Sequence, residues 1–565
     1  MGKVKRYGYF PSEKHANVKE LINFGAAKFG NSVAYREIDK YKNFVDHTFL
    51  QTKDEVNALG TKLLADGHGG CHIALMSENR YAWVLTYLTV MCGVGVIVPL
   101  DKELLDDDVL LQLTKSDCEI IVCSKTYIPM MKRVKERCPQ IKLIISMDKS
   151  KDPEIPWLFD LVDDGAELMR KDRRYIEAEI DPNALTEIIF TSGTTGANKG
   201  VMLTHRNLCH VVYGSLSLID PKSVSMSVLP MSHSFESSCH VLCVLQAGIM
   251  LCFCDNLRKV MDCLSSFKPG MVLMVPLMLE TIQKQIVSEM KRRKLYKHYR
   301  AGVFWSGILR KIGIDMRKKL FESLRVSLGG NLELVVCGGA PLSQETIQFY
   351  DQIGIKVING YGISECAPLL SANSCAWMVD GSVGRPIPEV EVRIANADDD
   401  GIGEIHAKGL NVFLGYYKDT ESTKATFTND GWFNTGDVGY LDKNGILFIT
   451  GRKKNLIIFP NGKNVSPEEI EEHIVHDLEY VREVVVYGEE ETSRGNPIIC
   501  AVIYPNLEWM KNNGITDIQA KLNEDIKIVN SKLPGYKRVG KVIFRDTEFE
   551  KTTTKKIKRH KVLSN

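Results

Sequence analysis

Thr191-Ser192-Gly193-Thr194-Thr195-Gly196-Ala197-Asn198-Lys199-Gly200 is the densest run of glycine, hydroxyl and cation in the chain, set between the mainly apolar Glu187-Ile188-Ile189-Phe190 and Val201-Met202-Leu203. Glycine lets backbone N–H groups approach an anion, the hydroxyls add donors, and Lys199 adds a point charge. The stretch therefore reads as a polyphosphate cradle between two strands. A Walker loop would need a hydroxyl residue directly after its lysine and a helix opening there. Gly200 and a strand-like run follow instead, which excludes that class. A solvated hairpin is the plainer alternative, disfavoured by the lysine and by apolar runs on both sides.

Working outward, 565 residues exceed what one hydrophobic core organises, so a large domain and a smaller one are expected. The formal charge of +2 gives no reason to expect bulk nucleic-acid binding. The 15 cysteines show no C-x-x-C pair and no zinc spacing with histidine, a usage that fits a reducing cytosol. Met1 to Phe10 is basic without an apolar signal region, and Arg6 stands where myristoylation needs a hydroxyl residue. The most apolar window, Tyr81 to Leu100, is broken by Gly93, Gly95 and Pro99, which predicts a buried helix and then a buried strand rather than a membrane span. The expected location is cytoplasmic.

Short apolar runs alternate with helical patterns from about residue 20 to 180 and recur after the loop, the rhythm of parallel strands with crossover helices. Segments at 390–394, 403–407 and 445–450 instead alternate with Gly and Asp turns and read as a small β subdomain. Ser466-Pro467-Glu468-Glu469 carries a capping-box signature, opening a helix with Ile470, Ile474 and Leu478 on one face. The fold class is therefore α/β: a large N-terminal α/β body with a small β subdomain over 1–451, then a smaller, mobile C-terminal α+β domain over 452–565, on a hinge at 452–454.

Four later stretches carry chemistry. Asn359-Gly360-Tyr361-Gly362-Ile363-Ser364-Glu365 follows a strand-like run and ends in a carboxylate, the kind of oxygen ligand Mg2+ takes beside phosphate. Cys337-Gly338-Gly339-Ala340-Pro341-Leu342 ends another apolar run in small residues that let a flat ring lie on backbone. Gly431-Trp432-Phe433-Asn434-Thr435-Gly436-Asp437, with Gly451-Arg452 beyond it, offers a carboxylate to accept from ribose hydroxyls and a guanidinium to donate. Lys551-Thr552-Thr553-Thr554-Lys555-Lys556-Ile557-Lys558-Arg559 is by composition a basic tail. In this order over about residues 20 to 565, the chain resembles the adenylate-forming superfamily, in its acyl-CoA synthetase branch, and is most similar to the long-chain fatty acid–CoA ligases.

The resemblance implies ATP, Mg2+, CoA and a fatty acid as reactants, with no nucleic acid and no obligate protein partner. It assigns the phosphates to Thr191, Ser192, Gly193, Thr194, Thr195, Gly196 and Lys199, and the metal to Glu365 with Thr191 as helper. Adenine falls to Gly338, Gly339, Ala340 and Pro341, with Tyr361 packed on the ring, Asn359 on its amino edge, and Gly362 and Ser364 beside them. Asp437 and Arg452 take the ribose side, and His233 lies beside the acyl carboxylate. Lys556 enters the site during adenylation, Lys454 is the hinge position, and Gly462 lies near the pantetheine path. Ser364 stands for the family's usual Thr, Asn198 for its proline, and Lys555 for its glycine. Acetate-specific relatives carry Trp at the position of Gly362, so the glycine implies an open acyl pocket and a medium- to long-chain acid. The alternatives are a ligase for another acid, acyl transfer to a carrier-protein thiol, and a degenerate nucleotide-binding regulator without turnover.

The most basic internal stretch, Lys291 to Arg300, precedes apolar Val303, Trp305, Ile308, Leu309 and Ile312. It admits a weak peripheral contact with anionic lipid. A solvated helix face is the favoured reading, because Gly302 and Gly307 interrupt the amphipathic pattern.

Overall fold

The apolar window at Tyr81 resolves into a helix, Tyr81–Thr89, with every residue buried, and a buried strand, Val96–Pro99. Gly95 sits at the change of direction, where a Cβ would lie 2.0 Å from the Cys71 carbonyl oxygen, so only glycine lets the strand enter the sheet there. The computed structural model describes residues 7–192, 198–459, 464–490, 497–551 and 557–563. The chain divides into two units, Met1–Glu391 with Ala407–Gly431, and Val392–His406 with Trp432–Asn565.

In the first unit, the strands Leu143–Ser146, Cys118–Cys123, His72–Met76, Val96–Pro99 and Leu185–Ser192 run parallel in that spatial order. Asn198–Thr204 then adds antiparallel to Leu185–Ser192, and Gly415–Tyr416 caps that edge to make seven strands. The run of Val and Ile in the central strands fits burial on both faces, with Ala74, Val98, Ile121, Ile144 and Ile188 in one core.

A nine-stranded sheet forms the other half of this unit. Its middle is parallel, from Val33–Ile38 through Met250–Phe253, Val224–Ser227, Met271–Met274 and Leu334–Cys337 to Lys356–Gly362. Leu369–Ala372 and Arg385–Pro386 continue it antiparallel at one edge, Phe44–Thr48 at the other. The α/β architecture is the one the alternating pattern predicts, built as two sheets.

Most of a four-stranded sheet, in order Val390–Ala395, Gly403–Gly409, Phe433–Leu441 and Leu447–Arg452, belongs to the second unit, the first two of these strands running across the unit boundary. This unit also holds a three-stranded sheet of Val481–Glu490, Pro497–Pro505 and Lys541–Phe544. Helices Pro467–Asp477 and Ile518–Lys532 pack Ile470, Ile474, Leu522 and Val529 onto Val486 and Ile503 of the latter. The capping box expected at Ser466 does not form. Its hydroxyl donates to the Glu468 side chain at 2.9 Å instead of accepting from the helix backbone.

The end of the basic stretch and most of the apolar residues after it share a helix that contains both Gly302 and Gly307. Tyr296–Lys311 is one helix, and Gly302 is where it presses on Phe321, with a Cβ there 3.1 Å from the ring. Among the described residues no helix is long and apolar enough to cross a membrane.

Candidate active site

Antiparallel pairing of Leu185–Ser192 with Asn198–Thr204 sets Thr191 opposite Lys199 and Ser192 opposite Asn198. The two strands thus deliver the ends of the glycine loop side by side. Gly193, Thr194, Thr195 and Gly196 lie outside the described residues. At the loop's exit, the Lys115 ammonium donates to the Asn198 carbonyl at 2.9 Å.

The strand pair is stitched to the second motif by a segment that sequence reasoning passed over. Gly415–Tyr416 pairs with Met202 and Val201, and the Tyr417 N–H donates to the Gly200 carbonyl at 2.8 Å. The Phe413 N–H donates to the Glu365 carbonyl at 2.9 Å. Between these anchors the Tyr416 hydroxyl donates to Glu365 Oε1 at 2.8 Å, and the Lys199 ammonium sits 4.7 Å from the centre of the Tyr416 ring. The ring therefore spaces the cation from the carboxylate while touching both. Burial, and after it the negative charge of Glu365, raises the Tyr416 phenol far above its ordinary pKa, which keeps it a donor. Its only sequence signal is an aromatic pair after Gly415, whose φ of +139° an L side chain rarely adopts.

The third face comes from strand ends of the nine-stranded sheet. Parallel register places Cys337 opposite Asn359, so Gly338 to Pro341 and Gly360 to Glu365 follow at the same, carboxyl end of these neighbouring strands, where α/β folds bind ligands. A Cβ on Gly338 would stand 3.3 Å from the Gly360 carbonyl and 3.5 Å from the Phe235 ring. Gly339, Ala340 and Pro341 are exposed, whereas Tyr361 is buried. The Asn359 carbonyl accepts from the Asn373 N–H at 3.0 Å, which fixes the strand before its turn. Ser364 opens the short turn Ser364–Cys366 that carries Glu365. Gly362 meets the Pro368 carbonyl so closely that a Cβ would lie 2.2 Å from the oxygen.

His233 begins the next turn, its N–H bonded to the Pro230 carbonyl at 3.1 Å and its Nε2 standing 3.4 Å from Asp101 Oδ2. Two residues on, Phe235 reaches Gly338, so this turn borders the same strand ends. The structure thus brings together Thr191, Lys199, Glu365, Gly338 and the His233 turn within the first unit.

The second unit carries its own constellation. Asp437 and Arg452 face each other across the Phe433–Leu441 and Leu447–Arg452 pair, with Arg452 Nε 2.8 Å from Asp437 Oδ1. Asp437 is buried, and its N–H donates to the Thr435 hydroxyl at 3.1 Å. Arg452 is 41 % exposed on its side chain, so the pair presents a guanidinium on a buried anchor. Lys453 donates to Glu404 at 2.7 Å. Burial works against ionisation of Glu404, but Lys453, Asn396 and Asn434 outweigh it and hold the carboxyl below its usual range. Burial, then the charges of Arg452 and Arg559, lower the pKa of Lys454. Gly462 and Lys556 lie outside the described residues; Lys551 and Ile557, which flank the latter's segment, form an antiparallel bridge.

The donor set fits Mg2+. Among the described residues no three His, Cys, Asp or Glu side chains gather as a metal cage. A carboxylate such as Glu365 beside a phosphate loop needs no cage, since Mg2+ keeps waters and shares phosphate oxygens.

The AMP-binding enzyme family matches residues 24–417, and the AMP-binding enzyme C-terminal domain matches residues 454–565. Over 537 residues the chain is 28 % identical to Long-chain-fatty-acid--CoA ligase 5 of Rattus norvegicus, covering 88 % of this chain and 76 % of that protein. Over 557 residues it is 27 % identical to Long-chain-fatty-acid--CoA ligase FadD15 of Mycobacterium bovis, covering 91 % and 90 %. The ATP-bound crystal structure of MatB from Rhodopseudomonas palustris shares the fold, with a TM-score of 0.74 at 23 % identity over 97 % of this chain and 98 % of that one. The resemblance drawn from the ordered motifs is thus borne out, and the chain belongs to the AMP-binding enzyme family.

Proposed function

We propose that the protein joins a medium- to long-chain fatty acid to CoA in two steps: ATP-dependent formation of an acyl-adenylate with release of pyrophosphate, then thioester formation with release of AMP. The observation that carries this reading is the contact chain Lys199–Tyr416–Glu365 at the edge where two sheets meet, beside a glycine-rich hairpin, in a chain of this family. Its curated relatives named above are long-chain fatty acid–CoA ligases.

A carboxylate is a poor electrophile towards a thiol, so the acid first needs a better leaving group. Its carboxylate oxygen attacks the α-phosphorus of ATP in line, and the bond to the pyrophosphate oxygen breaks. Lys199, held in place by Tyr416, takes up charge on the departing pyrophosphate. Glu365, with Thr191 as helper, is the proposed holder of Mg2+, which when bound neutralises phosphate oxygens. The strand ends at Gly338 to Pro341, Asn359 and Tyr361 receive adenine. Asp437 and Arg452 take the ribose, and His233 positions the acyl carboxylate.

Lys556 is proposed to align carboxylate and α-phosphate during adenylation. It must then withdraw to admit a thiol, which we assign to rotation of residues 452–565 about 452–454, with Lys454 at the pivot and Gly462 on the pantetheine path. The CoA sulfur attacks the acyl carbon, and AMP leaves.

A pyrophosphate-release assay over a panel of acids, with and without CoA, tests the reading. Release with medium- and long-chain fatty acids, and a thioester only when CoA is present, is expected. Strict preference for acetate or an aromatic acid refutes the substrate assignment, and dependence on a carrier-protein thiol refutes CoA as acceptor. Nucleotide binding without release for any acid marks a degenerate regulator.

A further inference from the structure

The helix Tyr296–Lys311 is docked by the face that carries Tyr299, Gly302 and Ser306. Tyr299 and Ser306 are its buried positions, with the Tyr299 hydroxyl donating to Gln352 at 2.6 Å and its ring packed against Phe321 and Phe349. At about 100° per residue, Phe304, Ile308 and Trp305 fall within a single arc of about 100° on the opposite side, and Ile312, at the helix end, falls in the same arc. They are left in solvent: Phe304 is 63 %, Trp305 60 %, Ile308 40 % and Ile312 68 % exposed. Hydrophobic residues scattered singly on a surface need no explanation, but four on one arc, two of them aromatic and in mutual edge-to-face contact, form a patch.

The cations around this arc divide into paired and unpaired ones. Arg292 and Arg293 pair with Glu289, and Arg310 and Arg317 pair with Asp351. Lys297, Arg300 and Lys311, which project from the arc or its near edge, have no carboxylate partner among the described residues. An exposed aromatic and aliphatic stripe bordered by uncompensated lysine and arginine matches an anionic bilayer surface, where indole and phenyl rings enter the headgroup boundary and cations meet phosphate and carboxylate.

We propose that this helix is a docking surface for anionic lipid, lying in the plane of the interface with Phe304, Trp305, Ile308 and Ile312 inserted. The inference is independent of the catalytic reading, because none of these residues belongs to the proposed machinery. Gly302, read in the sequence as an interruption, supports it: the glycine seats the helix on Phe321 and so turns the apolar arc outward.

The test is co-sedimentation of the full chain with vesicles of phosphatidylcholine and phosphatidylserine, and with vesicles of phosphatidylcholine alone. Wild type should pellet with the anionic vesicles, lose most of that binding without phosphatidylserine, and weaken as salt rises. The double variant Lys297→Glu/Arg300→Glu should reduce the bound fraction by about tenfold, and Phe304→Ser/Trp305→Ser should abolish insertion while thermal unfolding stays that of wild type. Failure of wild type to bind anionic vesicles overturns the proposal. So does equal binding by the variants at unchanged unfolding temperature. If gel filtration shows wild type self-associating and Phe304→Ser/Trp305→Ser monomeric with vesicle binding intact, the surface serves a second copy of the chain and the lipid assignment is wrong.

Discussion

Tyr416→Phe isolates one atom of the proposed site. The hydroxyl donates to Glu365 Oε1 at 2.8 Å, and the ring, which the substitution keeps, faces Lys199 at 4.7 Å. A hydrogen bond to an ionised group contributes about 1.5–3 kcal/mol. Glu365 is half-buried, so water replaces part of the lost donor and the lower end applies. At about 1.4 kcal/mol per decade this corresponds to roughly a tenfold effect. If Glu365 holds the metal, the loss should appear in ATP–pyrophosphate exchange as a lower rate and a higher Mg2+ requirement. Thioester formation from supplied acyl-adenylate should stay within about twofold, since that step does not need pyrophosphate to depart. Tyr416→Leu also removes the ring beside Lys199 and should cost about 0.5–2 kcal/mol more. Wild-type exchange and wild-type Mg2+ dependence in Tyr416→Phe would refute the role given to this contact. An equal loss in both half-reactions would make Tyr416 a structural residue only.

Three further outcomes are expected. Lys556→Ala should lower ATP–pyrophosphate exchange by about 10²-fold or more while largely sparing thioester formation from supplied acyl-adenylate; equal loss of both half-reactions contradicts its assignment. Lys454→Pro should show the opposite bias, and an unbiased loss counts against the pivot. Glu187 is fully buried, and burial pushes its carboxyl up to about 8, the neighbouring Tyr87 hydroxyl offsetting only part of the effect. The folded state then binds more protons than the unfolded state between the ordinary carboxyl pKa and about 8, so this group's contribution to stability is fullest at low pH and is lost as pH rises through that window. Glu187→Gln should therefore raise the unfolding temperature relative to wild type more at pH 8 than at pH 5, and a pH-independent difference measured by calorimetry would contradict the assignment.

Much of this was legible from residues alone, because the signals were local. Apolar runs on both sides of Thr191 to Gly200 predict the strand pair that the structure shows as Leu185–Ser192 and Asn198–Thr204. Broken hydrophobicity at Gly93, Gly95 and Pro99 predicts the helix and strand within Tyr81 to Leu100. Two misses depend on partners distant in sequence, and one on a competing neighbour two residues away. Tyr416 acquires its place only when Gly415–Tyr416 joins the sheet edge beside Val201, a pairing no local pattern announces. Ser466 has the composition of a cap, yet Glu468 captures its hydroxyl before the helix backbone can. Gly302 interrupts the amphipathic pattern in sequence, while Phe321, farther along the chain, makes it a packing site.

The acyl pocket is where these two kinds of information meet. By the family resemblance, Gly362 implies an open acyl pocket, because acetate-specific relatives carry Trp at its position. In the structure the glycine has a prior reason: the Pro368 carbonyl occupies the space of its Cβ, at 2.2 Å, and that same carbonyl accepts the Ile363 N–H at 2.9 Å. The turn so closed is the one that presents Ser364 and Glu365. Any side chain at 362 must displace the 362–368 backbone before it can narrow a pocket, so pocket size and carboxylate placement form a single variable here. The buried turn at His240 is likewise fixed from within, His240 bridging Glu236 at 2.8 Å and Ser225 at 2.5 Å, with all three fully buried. Side chains that line core in this way set the reach of an acyl chain only by moving backbone. Acceptance of longer or shorter acids should therefore change together with adenylation rate when Gly362 is replaced, rather than as an independent shift in specificity.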